Sequence, residues 1–311
     1  MKNIYSGLKF IFFSRGLSKG LKRLRFVGKR FGFMPRKQIG YINYYASLLK
    51  QHAAKATFFI PAKLLERHIK DIKRVEGGTI EWGIHGYVHT DLSKLSQEEQ
   101  KEQIIKAVDI FDKYGVGFWG FRAPYLRINA YTVKALAQLK RFSYVSTNTV
   151  LWDEIYGADR AYFKWITDFY NPLLHSHASS PPETANAITQ IAVSLPDDDV
   201  LVDRERMDRE PLLALWENML RFCHEKDEVF VLQLHPERIV ELGGVLVELI
   251  KSARALNPPV WIATLGEVAR CLQSDASDAR KWPRPYRGVF CITGDIDCIT
   301  IGDFIIRLRE W

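Results

Sequence analysis

An α/β fold whose parallel strands close as a barrel is what this 311-residue sequence predicts. Three observations carry that expectation. Apolar strand-like runs alternate regularly with helix-like stretches from about residue 40 onward, as in chains that build parallel sheets. The strand-like runs number seven, or eight if Leu24–Val27 joins them, enough to close a barrel. The alternative, a doubly wound open sheet, finds no GxGxxG after the first strand to support it.

The chain opens on a segment, residues 1–39, unlike the rest. The first 40 residues hold 11 Lys or Arg and no acid, leaving 33 basic against 36 acidic residues for the remainder. The body is therefore near neutral, which argues against nucleic acid as a partner. Lys9 interrupts the leader's short apolar run, and basic residues follow it rather than a small-residue cleavage site, unlike a signal peptide. Leu17, Leu21 and Leu24 recur at helical spacing among Lys19, Lys22, Arg23 and Arg25. Such a segment suits peripheral contact with an anionic membrane through residues 1–30; a cationic terminus packed on the body is the plainer alternative.

The body is expected over residues 40–272. Its strands are Ala56–Ile60, Ile80–His85, Phe118–Arg122, Tyr144–Asn148, Ala187–Leu195, Val229–His235 and Val260–Leu265. Helical patterns fall between them at Tyr41–His52, Lys63–Val75, Ser96–Tyr114, Ala130–Leu139, Pro211–His224 and Gly244–Ala255. Ser96 and Glu99 have the spacing of a capping box and mark the start of the third helix. From 273 to 311 a polar, proline-containing linker leads into "VFCITGDIDCITIGDFIIRLREW", which reads as a short β-rich appendix with Gly-Asp turns. The four cysteines show no CxxC spacing and lie in the second half, consistent with a reducing cytoplasm and, at Cys291 and Cys298, with buried free thiols.

Polar residues close several of the apolar strands. His85 and His89 follow Ile80–Ile84, Arg122-Ala-Pro-Tyr125 closes "FWGFRAPY", and His235 closes "VFVLQLH". Strand-end groups of a parallel α/β fold converge on one mouth, the place such folds keep their chemistry. Any one of these residues alone reads more simply as a structural group; the set in this order reads as a site.

"ATFFIPA", "EWGIHGYVH", "FRAPY" and "LQLHPER" together resemble the polysaccharide deacetylases with a NodB-type domain, over residues 40–272. The resemblance implies a distorted (β/α) barrel and metal-dependent hydrolysis of an N-acetylated sugar in a cell-envelope glycan or glycolipid precursor. It makes His85 and His89 metal-binding residues, with zinc as the divalent ion. His235 becomes the general acid, the Tyr125 backbone N–H an oxyanion donor, and Arg122 the orienter of a catalytic carboxylate. Family members also carry an aspartate pair on the strand ahead of "ATFF", whereas the first acidic residue here is Glu66.

The acidic run Pro196-Asp-Asp-Asp199, closing "ITQIAVSL", is the replacement the sequence offers, with Asp197 as metal ligand and Asp198 as general base. A solvated acidic turn is the competing reading of that run. Asp153 is a further candidate, and His175 and His177 read as a loop. An inactive relative that binds glycan or a protein partner through the same mouth is the alternative function.

Overall fold

The structure is a computed structural model that describes residues 27–28, 30–75, 78–151, 188–274 and 282–309. Asp153, His175, His177 and the leader through residue 26 lie outside the described residues. In chain order the helices are α1 Arg36–Gln51, α2 Ala62–Ile72, α3 Gln97–Tyr114, α4 Ala130–Leu139, α5 Arg209–Lys226, α6 Ile239–Ala255, α7 Leu265–Gln273 and α8 Ile301–Arg307. The strands are β1 Ala56–Ile60, β2 Ile80–Ile84, β3 Gly120–Phe121, β4 Tyr144–Val145 and β5 Thr149–Val150. They continue with β6 Thr189–Gln190, β7 Val193–Ser194, β8 Val229–Gln233, β9 Trp261–Ile262 and β10 Val289–Asp295.

The main sheet runs β6-β4-β3-β2-β1-β10-β8, with β9 also paired to β10, and every pairing is parallel. β5 and β7 form a second, two-stranded parallel sheet. Chain 188–195 carries the curl onward, and Ser194 Oγ accepts a hydrogen bond from the Val231 N–H of β8 at 3.1 Å. The strands thus curl into a distorted (β/α) barrel, as expected.

One expectation is corrected. The segment read as an appendix supplies β10, which lies between β1 and β8 as an interior strand of the sheet. Ile292 registers with Ala56 on one side and Val289 with Val229 on the other. No hairpin brings Cys291 to Cys298; both are buried free thiols. The physical reason is plain in the sequence of β10 itself. Val289-Phe-Cys-Ile-Thr293 is apolar on both faces, which suits an interior parallel strand and no exposed appendage. Phe290 and Ile292 point to the helical layer, whereas Val289 and Cys291 join Phe59, Tyr144 and Val231 inside the barrel.

Two glycines make room for that interior. A Cβ at Gly83 would stand 2.5 Å from the Phe59 ring, and one at Gly120 would stand 2.0 Å from the Tyr144 ring. Each glycine pairs with that aromatic residue on the neighbouring strand, so the ring fills the space a side chain would take.

Helix ends are set by the residues the sequence places there. Ser96 and Glu99 form the anticipated capping box, and Gly115 ends α3 in the left-handed conformation at φ 62°. Thr264 with Glu267, and Thr300 with Asp303, cap α7 and α8 in the same way. The last described part of the leader packs on α8: Val27 and Phe31 cluster with Cys298, Ile301 and Phe304. Among the described residues no helix is long and apolar enough to cross a membrane.

Candidate active site

Because the strands are parallel, their C-terminal ends share one rim, and a cavity of 290 Å³ opens there. His85 and His89 from the loop after β2, His235 after β8, and Asp295 and Asp297 at the end of β10 all line it.

His85 is buried, and its Nδ1 donates to the Arg122 carbonyl at 2.9 Å. A carbonyl can only accept, so Nδ1 carries a proton, and Nε2 is the nitrogen left to face the acids. Nε2 stands 3.6 Å from Asp297 Oδ1 and 3.8 Å from Asp295 Oδ2. His89 Nε2 lies 3.1 Å from the same Asp297 oxygen. Burial, with Arg307 next in effect, pushes the His89 imidazole down to about 4, so it is neutral at neutral pH. Its Nδ1 is buried without a hydrogen-bond partner.

The carboxylate beside the histidines is therefore Asp297, where Asp197 was expected. Asp197 lines the same cavity but takes no part in that cluster: its Oδ1 accepts from the Val200 N–H at 3.0 Å. Burial, then Asp198 and Asp199 beside it, raises the Asp197 carboxyl to about 7. The difference arises because β10 slots in beside β1 and puts its own acids closer to β2 than the loop after β7 can reach.

Asp295 is the carboxylate that Arg122 holds. Its Oδ1 accepts from Arg122 Nη1 at 3.0 Å and its Oδ2 from Gln233 Nε2 at 3.1 Å. Arg122 is fully buried and donates in addition to Ser146 O, Ser146 Oγ and Thr293 Oγ1, at 2.8–3.0 Å. Its guanidinium lies over the Phe59 ring, 4.4 Å from the centroid. An arginine committed on every side leaves the carboxylate it holds little freedom to turn.

Asp198, expected as the general base, is bound elsewhere. Its Oδ2 accepts from the His235 backbone N–H and its Oδ1 from His235 Nδ1, both at 2.8 Å. It thus fixes the ring and leaves Nε2 as the nitrogen available to the cavity. Burial would lower the His235 pKa, but Asp198 and Asp199 outweigh it and hold it well above the ordinary histidine value. With the folded pKa raised, the pair's stabilisation is complete below about 6.5 and is lost as pH climbs through the folded value. Asp198→Asn should therefore move the His235 titration midpoint to lower pH, read from imidazole proton shifts; an unmoved midpoint would refute the pairing. Asp198, Asp199 and His235 also lie close enough to ligate a cation. Arg238 and Arg30 already neutralise Asp199, at 3.2 and 3.1 Å, and Arg30 also binds Glu237.

Tyr125 follows β3 with φ 60° and ψ 10°, a left-handed backbone uncommon for a bulky residue. Its ring meets His89 edge-on at 4.5 Å. Glu81, four residues before His85, serves another purpose. It accepts from Thr264 Oγ1, Tyr144 Oη and the Gly266 N–H, tying β2 to the start of α7.

Of the residues missed in the sequence, Asp295, Asp297, Gln233 and Arg307, the two aspartates had an available signal. "VFCITGDID" is an apolar run closed by polar groups, the same pattern that marks the ends of β2, β3 and β8.

The sequence profile of the family described as "Polysaccharide deacetylase" matches residues 39–141. That segment carries the polysaccharide deacetylase pattern. It is 23% identical over 238 residues to the peptidoglycan deacetylase-like protein FGM2 of Gibberella zeae, covering 70% of each chain. Over 67 residues it is 40% identical to a peptidoglycan-N-acetylglucosamine deacetylase of Bacillus cereus, covering 21% of this chain and 24% of that one. Among solved structures, one assigned to the polysaccharide deacetylases from Mycobacterium smegmatis superposes with a TM-score of 0.58. Its identity is 18%, with 89% of this chain and 87% of that one covered. Puue allantoinase gives 0.58 at 16% identity, covering 78% and 74%. The structural likenesses show the shared fold. Relative to the element order the family resemblance implies, the acid-bearing strand comes last in this chain, yet it lies beside β1 in the sheet.

Proposed function

We propose that this chain removes the acetyl group from an N-acetylated amino sugar of a cell-envelope glycan or glycolipid precursor. The observation that carries the reading is the Arg122–Asp295–Gln233 arrangement: Asp295 Oδ2 stands 3.8 Å from His85 Nε2, in one cavity with His235. The peptidoglycan deacetylases among its relatives support the substrate class.

His85, His89 and Asp297 fit a divalent metal. Their ligand atoms lie within 4.8 Å of one another, and two imidazoles with one carboxylate form a donor set suited to catalytic zinc. Zinc held there would polarise the amide carbonyl and lower the pKa of water. Asp295 accepts the proton of the attacking water, while Arg122 and Gln233 hold its carboxylate in place. The Tyr125 backbone N–H supplies a donor for the oxyanion. His235, its Nδ1 committed to Asp198, delivers a proton from Nε2 to the departing amine. Water and amide are consumed; acetate and a free amine result.

Purified protein should hold about one equivalent of zinc, as a catalytic site of this kind binds one ion. It should release acetate from an N-acetylated chitooligosaccharide, and replacing His85 and His89 with alanine should abolish both properties. Metal content unchanged in that double variant would sink the assignment. No acetate from the wild type would favour the inactive, glycan-binding relative.

The basic leader belongs to the same reading: residues 1–30 bring the protein to the anionic inner face of a membrane. It should sediment with anionic vesicles and not with neutral ones, and the binding should fade with added salt. Equal sedimentation with both would count against it.

A further inference from the structure

We propose that Arg307 is the positioning residue of Asp297, holding one carboxylate oxygen so that the other stays aimed at His85 and His89. The proposal rests on the reading above that these three residues hold a metal ion.

The two oxygens of Asp297 are divided between different partners. Oδ2 accepts from Arg307 Nη1 at 2.7 Å. Oδ1 stands 3.1 Å from His89 Nε2 and 3.6 Å from His85 Nε2. A carboxylate free to rotate about its Cβ–Cγ bond could offer an ion either oxygen or both. A charged donor on Oδ2 restricts Asp297 to one-oxygen ligation through Oδ1.

Arg307 is itself fixed. Its Nη2 donates to the Tyr125 hydroxyl at 3.3 Å, and its guanidinium lies 5.5 Å from the Tyr125 ring centroid. Tyr125 in turn meets His89. Asp297, His89, Tyr125 and Arg307 therefore close a circuit around the ligand carboxylate. Partial burial would raise the Asp297 carboxyl, but His89 and Arg307 outweigh it and keep it ionised.

α8, which carries Arg307, is anchored at its start. Asp303 caps Thr300 and also takes His68 Nε2 at 2.8 Å and Arg67 Nη1 at 3.3 Å from α2. Phe304 stacks on Phe31, and the Ile301 N–H donates to Gly32 O at 2.9 Å. The segment that delivers the ligand acid also delivers its clamp, ten residues later.

Charge and orientation predict opposite signs, which makes the idea testable. A cation beside a ligand set repels a divalent ion, so removing it for charge reasons alone would tighten binding. If Arg307 positions Asp297, its removal weakens binding, as loss of a group supporting a ligand typically does.

Zinc affinity measured by competition with a chromogenic chelator separates the two. Arg307→Gln should weaken zinc binding about 10- to 100-fold. Arg307→Lys, which retains a cationic donor for Oδ2, should recover most of the loss. Tyr125→Phe, which removes only the hydroxyl holding Nη2, should weaken binding in the same direction and serves if Arg307→Gln does not fold. Unchanged or tighter zinc binding in Arg307→Gln, with normal binding by the wild type, overturns this proposal alone. A wild type that binds no zinc overturns the metal-site reading and this proposal with it.

Discussion

Asp295→Asn is expected to lower the rate of acetate release from an N-acetylated chitooligosaccharide by about 10²- to 10⁴-fold, the usual contribution of a positioned general base. Asparagine keeps the shape and can still accept from Arg122 through its oxygen, so the fold and the neighbouring arginine should be little disturbed. What disappears is the ability to take a proton from water next to His85. Zinc content should stay near that of the wild type, because Asp295 lies outside the cluster formed by His85, His89 and Asp297. Measuring both quantities on one preparation separates base from ligand. A variant that retains full activity would remove Asp295 from the chemistry. One that loses the metal as well would make it a ligand.

The second large effect concerns stability. Phe290→Ala should reduce the unfolding free energy by about 3–5 kcal/mol, the range for deleting a large aromatic side chain from a packed core. Phe290 is fully buried, stacks on Phe230 with ring centroids 5.2 Å apart, and belongs to the main core cluster. It sits where β10 pairs with both β8 and β9, and its ring fills space between the sheet and the helical layer. Urea denaturation followed by circular dichroism gives the difference. A loss below about 0.5 kcal/mol would match a surface position and would contradict the buried, interior place of this strand.

The same strand explains what could and could not be read beforehand. His85, His89, Arg122 and His235 are legible because they lie at or just beyond the ends of apolar runs, and the run and the polar residue are local features of the sequence. Their common rim followed from parallel strands alone. The acids were harder because the resemblance placed an aspartate pair ahead of "ATFF", where the sequence has none. The acidic run that closes the later strand, Asp197 and Asp198, is what the sequence offers instead; Asp197 lines the cavity and Asp198 lies buried behind it, each with other partners. Asp198 supports His235 and Asp197 accepts from its own turn. Gln233 and Arg307 were missed for a related reason. Gln233 ends β8 two residues before His235 and Arg307 ends α8, and each gains meaning only from the acid it meets.

Strand and helix alternation, the parallel class, the capping residues and the histidines and arginine of the candidate site are all readable from local sequence. Those depend on period, apolar run length and side-chain chemistry within a few residues. Which strand lies next to which is settled in three dimensions, by the packing of the whole chain. Ala56 meets Ile292 because an all-apolar strand must be buried on both faces, and the gap between β1 and β8 is where β10 achieves that. The order of strands in a sheet is fixed by burial across the whole chain, and with it which carboxylates stand beside His85 and His89.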